Sequence, residues 1–176
     1  DIRHLAPRTT SEMLYKGIRE TAEQFKGKPI WVRTSDIRTD EYRNLEGGSE
    51  EPKESNPMLG WHGIRRGLDD VEILKAEFRA IKRLHDEGFK NIGVMIPFVI
   101  SVDEVHRAKE HFLKFKTPNM RFGTMIETPA ACMIIEDICK EGVDFISFGT
   151  NDLTQFTLAL DREEEDVQFL YNELNP

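Results

Sequence analysis

Apolar residues recur along this chain in two periods, and their alternation sets the expected architecture. From Ser11, Leu14, Ile18, Ala22 and Phe25 follow one another at helical spacing and Gly27 stands as a stop, which predicts a first helix after an entry loop over residues 1–10. Pro29-Ile30-Trp31-Val32 then reads as a short strand ending at Arg33-Thr34-Ser35-Asp36. The polar, Gly-rich stretch from there through Gly47-Gly48-Ser49 to Pro57 predicts a long loop, either functional or disordered. Residues Asn56 to Arg66 suggest a short strand or a turn leading into a helix. From Asp69 the set Val71, Leu74, Phe78, Ile81 and Leu84 forms one apolar stripe up to Gly88, with Lys75, Lys82, Arg83 and His85 expected on a solvated face.

The second half repeats the alternation more clearly. Ile92-Gly93-Val94-Met95-Ile96, ended by Pro97, reads as a strand buried on both faces. Ser101 and Glu104 match a capping box for a helix through Val105, Ala108 and Phe112. His106 and His111, five positions apart, do not share a helix face and are expected on the surface. Met120 to Ile126 is the next strand and delivers Glu127 at its end. Thr128 and Pro129 then start a helix through Ile134, Ile135 and Ile138 that stops at Gly142. A last strand, Phe145 to Phe148, leads into the turn Gly149-Thr150-Asn151-Asp152-Leu153-Thr154-Gln155 and a helical segment from Phe156 to Leu160. After the acidic run Glu163 to Asp166, Val167 to Tyr171 predicts a further helix running to Pro176.

Strands that are apolar throughout and alternate with helices predict a parallel sheet covered by helices. Strand starts near residues 30, 92, 121 and 145, with room for one more near Leu59, give four or five strands. A closed (β/α)₈ TIM barrel takes eight and typically ~250 residues, so a barrel here is an incomplete one, with about four or five of eight βα units. A doubly wound sheet is the alternative, although no Gly-rich dinucleotide fingerprint follows any strand.

Composition narrows the function classes. The 176 residues suit a single domain, and the formal charge of −8 argues against nucleic acid as a partner. No apolar run reaches the roughly 20 residues of a membrane span and no signal-peptide core is present, so a soluble cytoplasmic protein is expected. Cys132 and Cys139 lie seven positions apart on one expected helix, about 10 Å, which is beyond disulfide reach. They are expected to be reduced core thiols.

The candidate chemistry sits at strand ends. Arg33, Glu127 and the pair Asn151-Asp152 each follow the C-terminal end of an expected strand, and in a barrel those ends converge on one mouth. Glu127 and Asp152 suit a hard cation such as Mg²⁺, which keeps waters and takes further oxygens from a substrate. Arg33 could grip a phosphate or carboxylate with its planar fork.

Five stretches carry a resemblance. Arg33-Thr34-Ser35-Asp36, Asp40 to Gly48, Asn56-Pro57-Met58-Leu59-Gly60-Trp61, Gly123 to Ala131 and Gly149 to Gln155 occur in the order found in the phosphoenolpyruvate-utilising enzymes. That family includes phosphoenolpyruvate synthase, pyruvate phosphate dikinase and enzyme I of the sugar phosphotransferase system. The Asp40 to Gly48 loop is most similar to that of the phosphoenolpyruvate synthase (pyruvate, water dikinase) branch. The likeness covers roughly Ile30 to Arg162.

The resemblance implies part of a barrel that binds pyruvate or phosphoenolpyruvate with Mg²⁺ and exchanges a phosphoryl group with a phosphohistidine on a mobile domain. By motif match, Glu127 and Asp152 resemble the metal ligands, and Arg33, Asn151 and Arg162 the groups that hold substrate. His62 stands where the family usually has a substrate-binding arginine, so that contact is expected to be weaker or pH-dependent. The family's catalytic cysteine would lie beyond Pro176, an earlier family arginine would precede residue 1, and the ATP-binding and phosphohistidine domains do not fall within these residues. The 176 residues alone are therefore expected to show no dikinase turnover. Alternatives are a Mg²⁺-dependent lyase of the citrate-lyase or aldolase type and a non-catalytic oligomerisation module. Barrels of this family pair through helices, so a homo-oligomer is expected.

Overall fold

A computed structural model describes residues 7–25, 27–45 and 48–174. Residues 1–6 of the expected entry loop, Glu46 and Gly47 of the second motif, and Asn175 and Pro176 at the end of the last expected helix lie outside the described residues.

The core is a four-stranded sheet of β1 (Ile30–Arg33), β2 (Ile92–Ile96), β3 (Arg121–Ile126) and β4 (Phe145–Phe148). All neighbours are parallel and the spatial order is the sequence order, β1-β2-β3-β4. This is a mixed α/β architecture consistent with an incomplete barrel. The strand anticipated near Leu59 does not form. Pro57–Leu59 is a single 3₁₀ turn, because Pro57 lacks the N–H a sheet ladder needs and Asn56 accepts instead from Leu59 N.

The helices are α1 (Pro7–Gln24), α2 (Thr39–Arg43), α3 (Gly63–Asp69), α4 (Val71–Asp86), α5 (Val102–Leu113), α6 (Pro129–Met133), α7 (Ile135–Lys140) and α8 (Thr150–Leu158). Helix α1 begins four residues before Ser11, so residues 7–10 of the expected entry loop are helical. The core joins one face of the sheet, through Ile92, Val94, Ile96, Phe122 and Ile126, to Leu74, Phe78 and Ile81 of α4 and to Val105 and Phe112 of α5. Phe112 is its pivot, edge-on to Phe78 at 5.7 Å and tilted against Phe122 at 4.9 Å.

Alternate strand positions point the other way. On that face Trp31 of β1 and Phe145 of β4 stack at 4.1 Å, reaching toward each other over the two middle strands. Gly93 and Gly123 leave the floor for them, since a Cβ there would come within 2.4 Å of the Trp31 ring and 2.5 Å of the Phe145 ring respectively.

Several expectations change on contact with the packing. The described residues of the long segment after β1 hold defined structure: α2 and a 3₁₀ turn at Gly48–Glu50 lie among them. Arg66 holds Glu51 through both arms of its fork, at 3.1 and 2.8 Å, while its guanidinium lies 4.3 Å from the Tyr42 ring centre and 4.4 Å from that of Trp61. His85 is fully buried instead of solvated, with Nε2 2.7 Å from the Ile92 carbonyl and Nδ1 2.9 Å from the Thr117 hydroxyl. The helix after Glu127 divides into α6 and α7 at Ile134, placing Cys132 half-buried on one and Cys139 exposed on the other. Both are free thiols; Cys132 packs against the edge of the core, and Cys139 does not belong to it. Among the described residues beyond Asp166 only a 3₁₀ turn, Gln168–Leu170, forms. No helix among the described residues is long and apolar enough to cross a membrane.

Candidate functional site

The parallel order brings the ends of β1, β3 and β4 to the same edge of the sheet, and the side chains there interlock. Arg33 ends β1 and is half exposed; its Nη1 lies 3.4 Å from Asp36 Oδ2. The other oxygen of Asp36 lies 2.8 Å from His62 Nδ1, and His62 Nε2 is 2.9 Å from the Met58 carbonyl. Arg33, Asp36 and His62 thus form one chain of contacts across the segment after β1. His62 is 2% exposed. Burial works to lower its pKa, but the Asp36 carboxylate and the Met58 carbonyl outweigh it and the pKa is raised. Two acceptors facing two ring nitrogens favour the imidazolium, which can donate to both.

Glu127 follows β3 and has no solvent exposure. Its Oε1 accepts from the Phe98 amide at 2.6 Å, and its Oε2 is buried without a hydrogen-bond partner. Oε2 rests against Gly149 at the end of β4, where a Cβ would approach to 2.3 Å. Burial pushes the Glu127 carboxyl up to about 7; the Phe98 amide restrains the rise, Asp36 and Asp152 add to it, and Arg33 opposes it. Glu127 therefore feels the charges of Asp36, Asp152 and Arg33 at the same edge of the sheet.

Phe98 supplies that amide from a left-handed backbone, φ 58°, which is costly for a residue with a bulky side chain. Its ring lies 4.1 Å from His62 and 5.5 Å from Phe156 of α8, with the Arg65 guanidinium 5.0 Å from its centre. Neighbours from three sides over-determine the conformation.

The turn after β4 is shorter than the sequence suggests. Helix α8 starts at Thr150 with Gly149 as its N-cap, so Asn151 and Asp152 occupy its first turn. Asp152 Oδ1 pairs with Arg162 Nη1 at 3.0 Å, and Arg162 N donates to Gln155 Oε1 at 3.1 Å. Asn151 is exposed on the same turn, its carbonyl accepting from the Tyr171 hydroxyl at 3.0 Å. The fold thus brings Arg33, Glu127 and Asp152 into one electrostatic unit, joins His62 through Asp36 and Arg162 through Asp152, and leaves the Asn151 side chain at the rim.

Among the described residues no three His, Cys, Asp or Glu side chains cluster to cage a metal. A cation that keeps several waters needs only one or two carboxylates, and the unpartnered buried Oε2 of Glu127 with the nearby Asp152 fits that donor set. Asp36 and Phe98 were not singled out as site residues by sequence reasoning. Asp36 was accessible through its place three residues after Arg33 at a strand end; Phe98 carries no signal, because its role lies in its backbone amide.

Fold and site together define an α/β protein with a charged mouth at the C-terminal ends of a parallel sheet. The family described as "PEP-utilising enzyme, PEP-binding domain" matches residues 3–176, and the chain belongs to it. Over 167 residues it is 54% identical to a probable phosphoenolpyruvate synthase of Archaeoglobus fulgidus, covering 94% of this chain and 22% of that protein. With the phosphoenolpyruvate synthase of Pyrococcus furiosus it shares 51% identity over 168 residues, 94% of this chain and 21% of the relative. A phosphoenolpyruvate-protein phosphotransferase of Buchnera aphidicola is 41% identical over 180 residues, 95% of this chain and 30% of that protein. The chain therefore spans between about a fifth and a third of these relatives' own length.

Proposed function

We propose that this chain is the part of a phosphoenolpyruvate synthase barrel that binds phosphoenolpyruvate or pyruvate, acting with Mg²⁺ in phosphoryl transfer between a phosphohistidine and pyruvate. The reading rests above all on Glu127, a fully buried carboxylate with one oxygen held by Phe98 N and the other free of protein partners. Such an arrangement costs stability unless a ligand completes it. Kinship to proteins named phosphoenolpyruvate synthase supports the substrate class.

In this scheme Glu127 and Asp152 would hold the cation, which would supply positive charge beside the transferring phosphoryl group. Arg162 is held by Asp152 at 3.0 Å, and Arg33, half exposed beside Asp36, keeps guanidinium donors for an anionic substrate. Asn151 offers its amide at the rim, and His62 contributes a positive charge behind Asp36 rather than from the front of the mouth. Phe98 and Gly149 keep Glu127 in place. Cys132 and Cys139 lie within α6 and α7 and not in the residues directly after a strand, so the proton lost from the pyruvate methyl group goes to another group. The complete reaction would convert ATP, pyruvate and water to phosphoenolpyruvate, AMP and phosphate, with ATP handled outside these residues.

The test is titration calorimetry of the protein, as its gene encodes it, with Mg²⁺ and oxalate, an analogue of the pyruvate enolate. Wild type should bind oxalate only with the cation, and Glu127→Gln should weaken binding at least about tenfold, or 1.4 kcal/mol. Cation-independent binding, or unchanged affinity in a Glu127→Gln variant with a native circular dichroism spectrum, overturns the proposal.

A further inference from the structure

One acid on the apolar stripe of α4 has no part in the mouth just described. Glu77 lies between Leu74 and Ile81, faces the core with them and is 7% exposed. An aliphatic side chain of similar volume would fill this place without the desolvation cost of a carboxylate. What the carboxylate does that an aliphatic group could not is accept two hydrogen bonds from one residue of another segment. Glu77 Oε1 receives the Ser35 amide at 2.8 Å and the Ser35 hydroxyl at 2.7 Å.

Ser35 sits between the two parts of the mouth that β1 delivers. Arg33 is two residues before it and Asp36 one residue after. Thr34 is buried and its amide makes the last rung onto Met95 of β2, at 3.0 Å. Beyond that rung the backbone leaves the sheet, and the Glu77 carboxylate is what receives its next amide. We propose that Glu77 is a positioning residue for the mouth, a carboxylate latch that fixes the segment after β1 through Ser35 and thereby sets where Arg33 and Asp36 stand. It touches no reacting atom; its action passes through Ser35.

A small, partly open cavity of about 30 Å³ borders the latch, lined by Thr34, Ser35, Tyr42, Arg66, Asp70 and Glu77 among others. That is room for a water molecule or two, a route by which Glu77 can exchange its proton. The charged and titratable groups packed around it are Tyr42 of α2, Arg66 of α3, which is occupied by Glu51, and Asp70 at the start of α4. Burial pushes the Glu77 carboxyl up to about 7, with the two Ser35 bonds restraining the rise. The ionised form accepts both bonds strongly, and the neutral acid accepts them weakly. The latch is therefore closed above about pH 7 and loosened below it.

The positioning role rests on the anion-binding reading only for what Arg33 does, and the latch itself can be measured without ligand. In the protein as its gene encodes it, hydrogen exchange over residues 34–36, corrected for the intrinsic effect of pH, is followed from pH 6 to 8 beside oxalate binding with Mg²⁺. Wild type should gain protection at 34–36 as pH rises. Glu77→Gln should lower that protection about tenfold and abolish its pH dependence, and should weaken oxalate about fivefold. Ser35→Ala removes only the hydroxyl arm and should cost about threefold in protection, which keeps the test open if Glu77→Gln fails to fold. Protection at 34–36 that is unchanged in either variant overturns the latch, whether or not oxalate binds. Loss of protection in the variants with no oxalate binding in wild type supports the latch and overturns the binding reading instead.

Discussion

Glu127 Oε2 is supported on one side by a residue that has no side chain. Gly149 leaves room that a Cβ would close by coming within 2.3 Å of Glu127 Oε2 and 2.6 Å of Glu127 Cβ, an atom that cannot swing aside as a side-chain tip can. Gly149→Ala must therefore displace Glu127 or the start of α8. We expect a loss of about 1–3 kcal/mol in denaturant unfolding, with Mg²⁺-dependent oxalate affinity falling by an amount similar to that of Glu127→Gln. An alanine variant with wild-type stability and binding would show that the carboxylate does not need this wall. Glu127 was legible in the sequence as an acid just after an apolar strand. Its free oxygen was not, because that depends on the Phe98 amide being turned toward it by a left-handed backbone, and no residue type at position 98 announces such a conformation. His85 failed for a related reason: helical period put it beside Lys82 and Arg83, but it borders the buried stripe closely enough to reach the Ile92 carbonyl and the Thr117 hydroxyl.

Among the elements, α8 carries both Asn151 and Asp152 and ends at Ala159, a left-handed C-cap with φ 54° and ψ 43°. The amide of Leu160 returns to the Gln155 carbonyl at 3.0 Å, the arrangement in which glycine is usually found. Ala159→Gly relieves the Cβ strain and loses some unfolded-state restriction in exchange, so a net gain of about 0.5–1 kcal/mol is expected by chemical denaturation. A measured loss would mean that the methyl group packs productively. Elements with a strong period and clear stops, such as α4 and β2, could be read from sequence to within a residue or two. The region from residue 34 to 62 could not, because its order comes from long-range pairs: Arg66 with Glu51, Tyr42 and Trp61, and Glu54 with Thr39 and the Trp61 amide. Local sequence there is polar and Gly-bearing, and nothing in it distinguishes a loop without anchors from one pinned to α3. The helix expected after Val167 failed in the opposite sense. Its apolar residues have the period but little to pack against, with Phe169 and Leu170 largely exposed, and packing rather than propensity supports most helices.

At the scale of the whole molecule, two buried acids govern the response to pH. Glu77 and Glu127 are each raised to about 7 by burial, well above the ordinary carboxylate range. A raised acid favours folding while it is protonated, so this contribution is present below about pH 4.5 and is lost as pH climbs through 7. Without divalent cation, stability should fall between about pH 5 and pH 8, by up to roughly 3 kcal/mol for each acid. His62, with its pKa raised, acts in the same direction at higher pH, and His85, lowered chiefly by burial, opposes it below about 6.5. Urea unfolding at several pH values measures the slope; Glu77→Gln should flatten it, and a slope of the reverse sign would refute the assignment. The parallel order of the sheet and its helical cover followed from the strand pattern, whereas strand number depended on reading Pro57 correctly. The stacked rings of Trp31 and Phe145 join the first strand of the sheet to the last across two glycines. That contact exists only when all four strands are assembled in register, so the near-ultraviolet signal of this one indole works as a completion flag, silent for any partly built sheet however helical the rest of the chain has become.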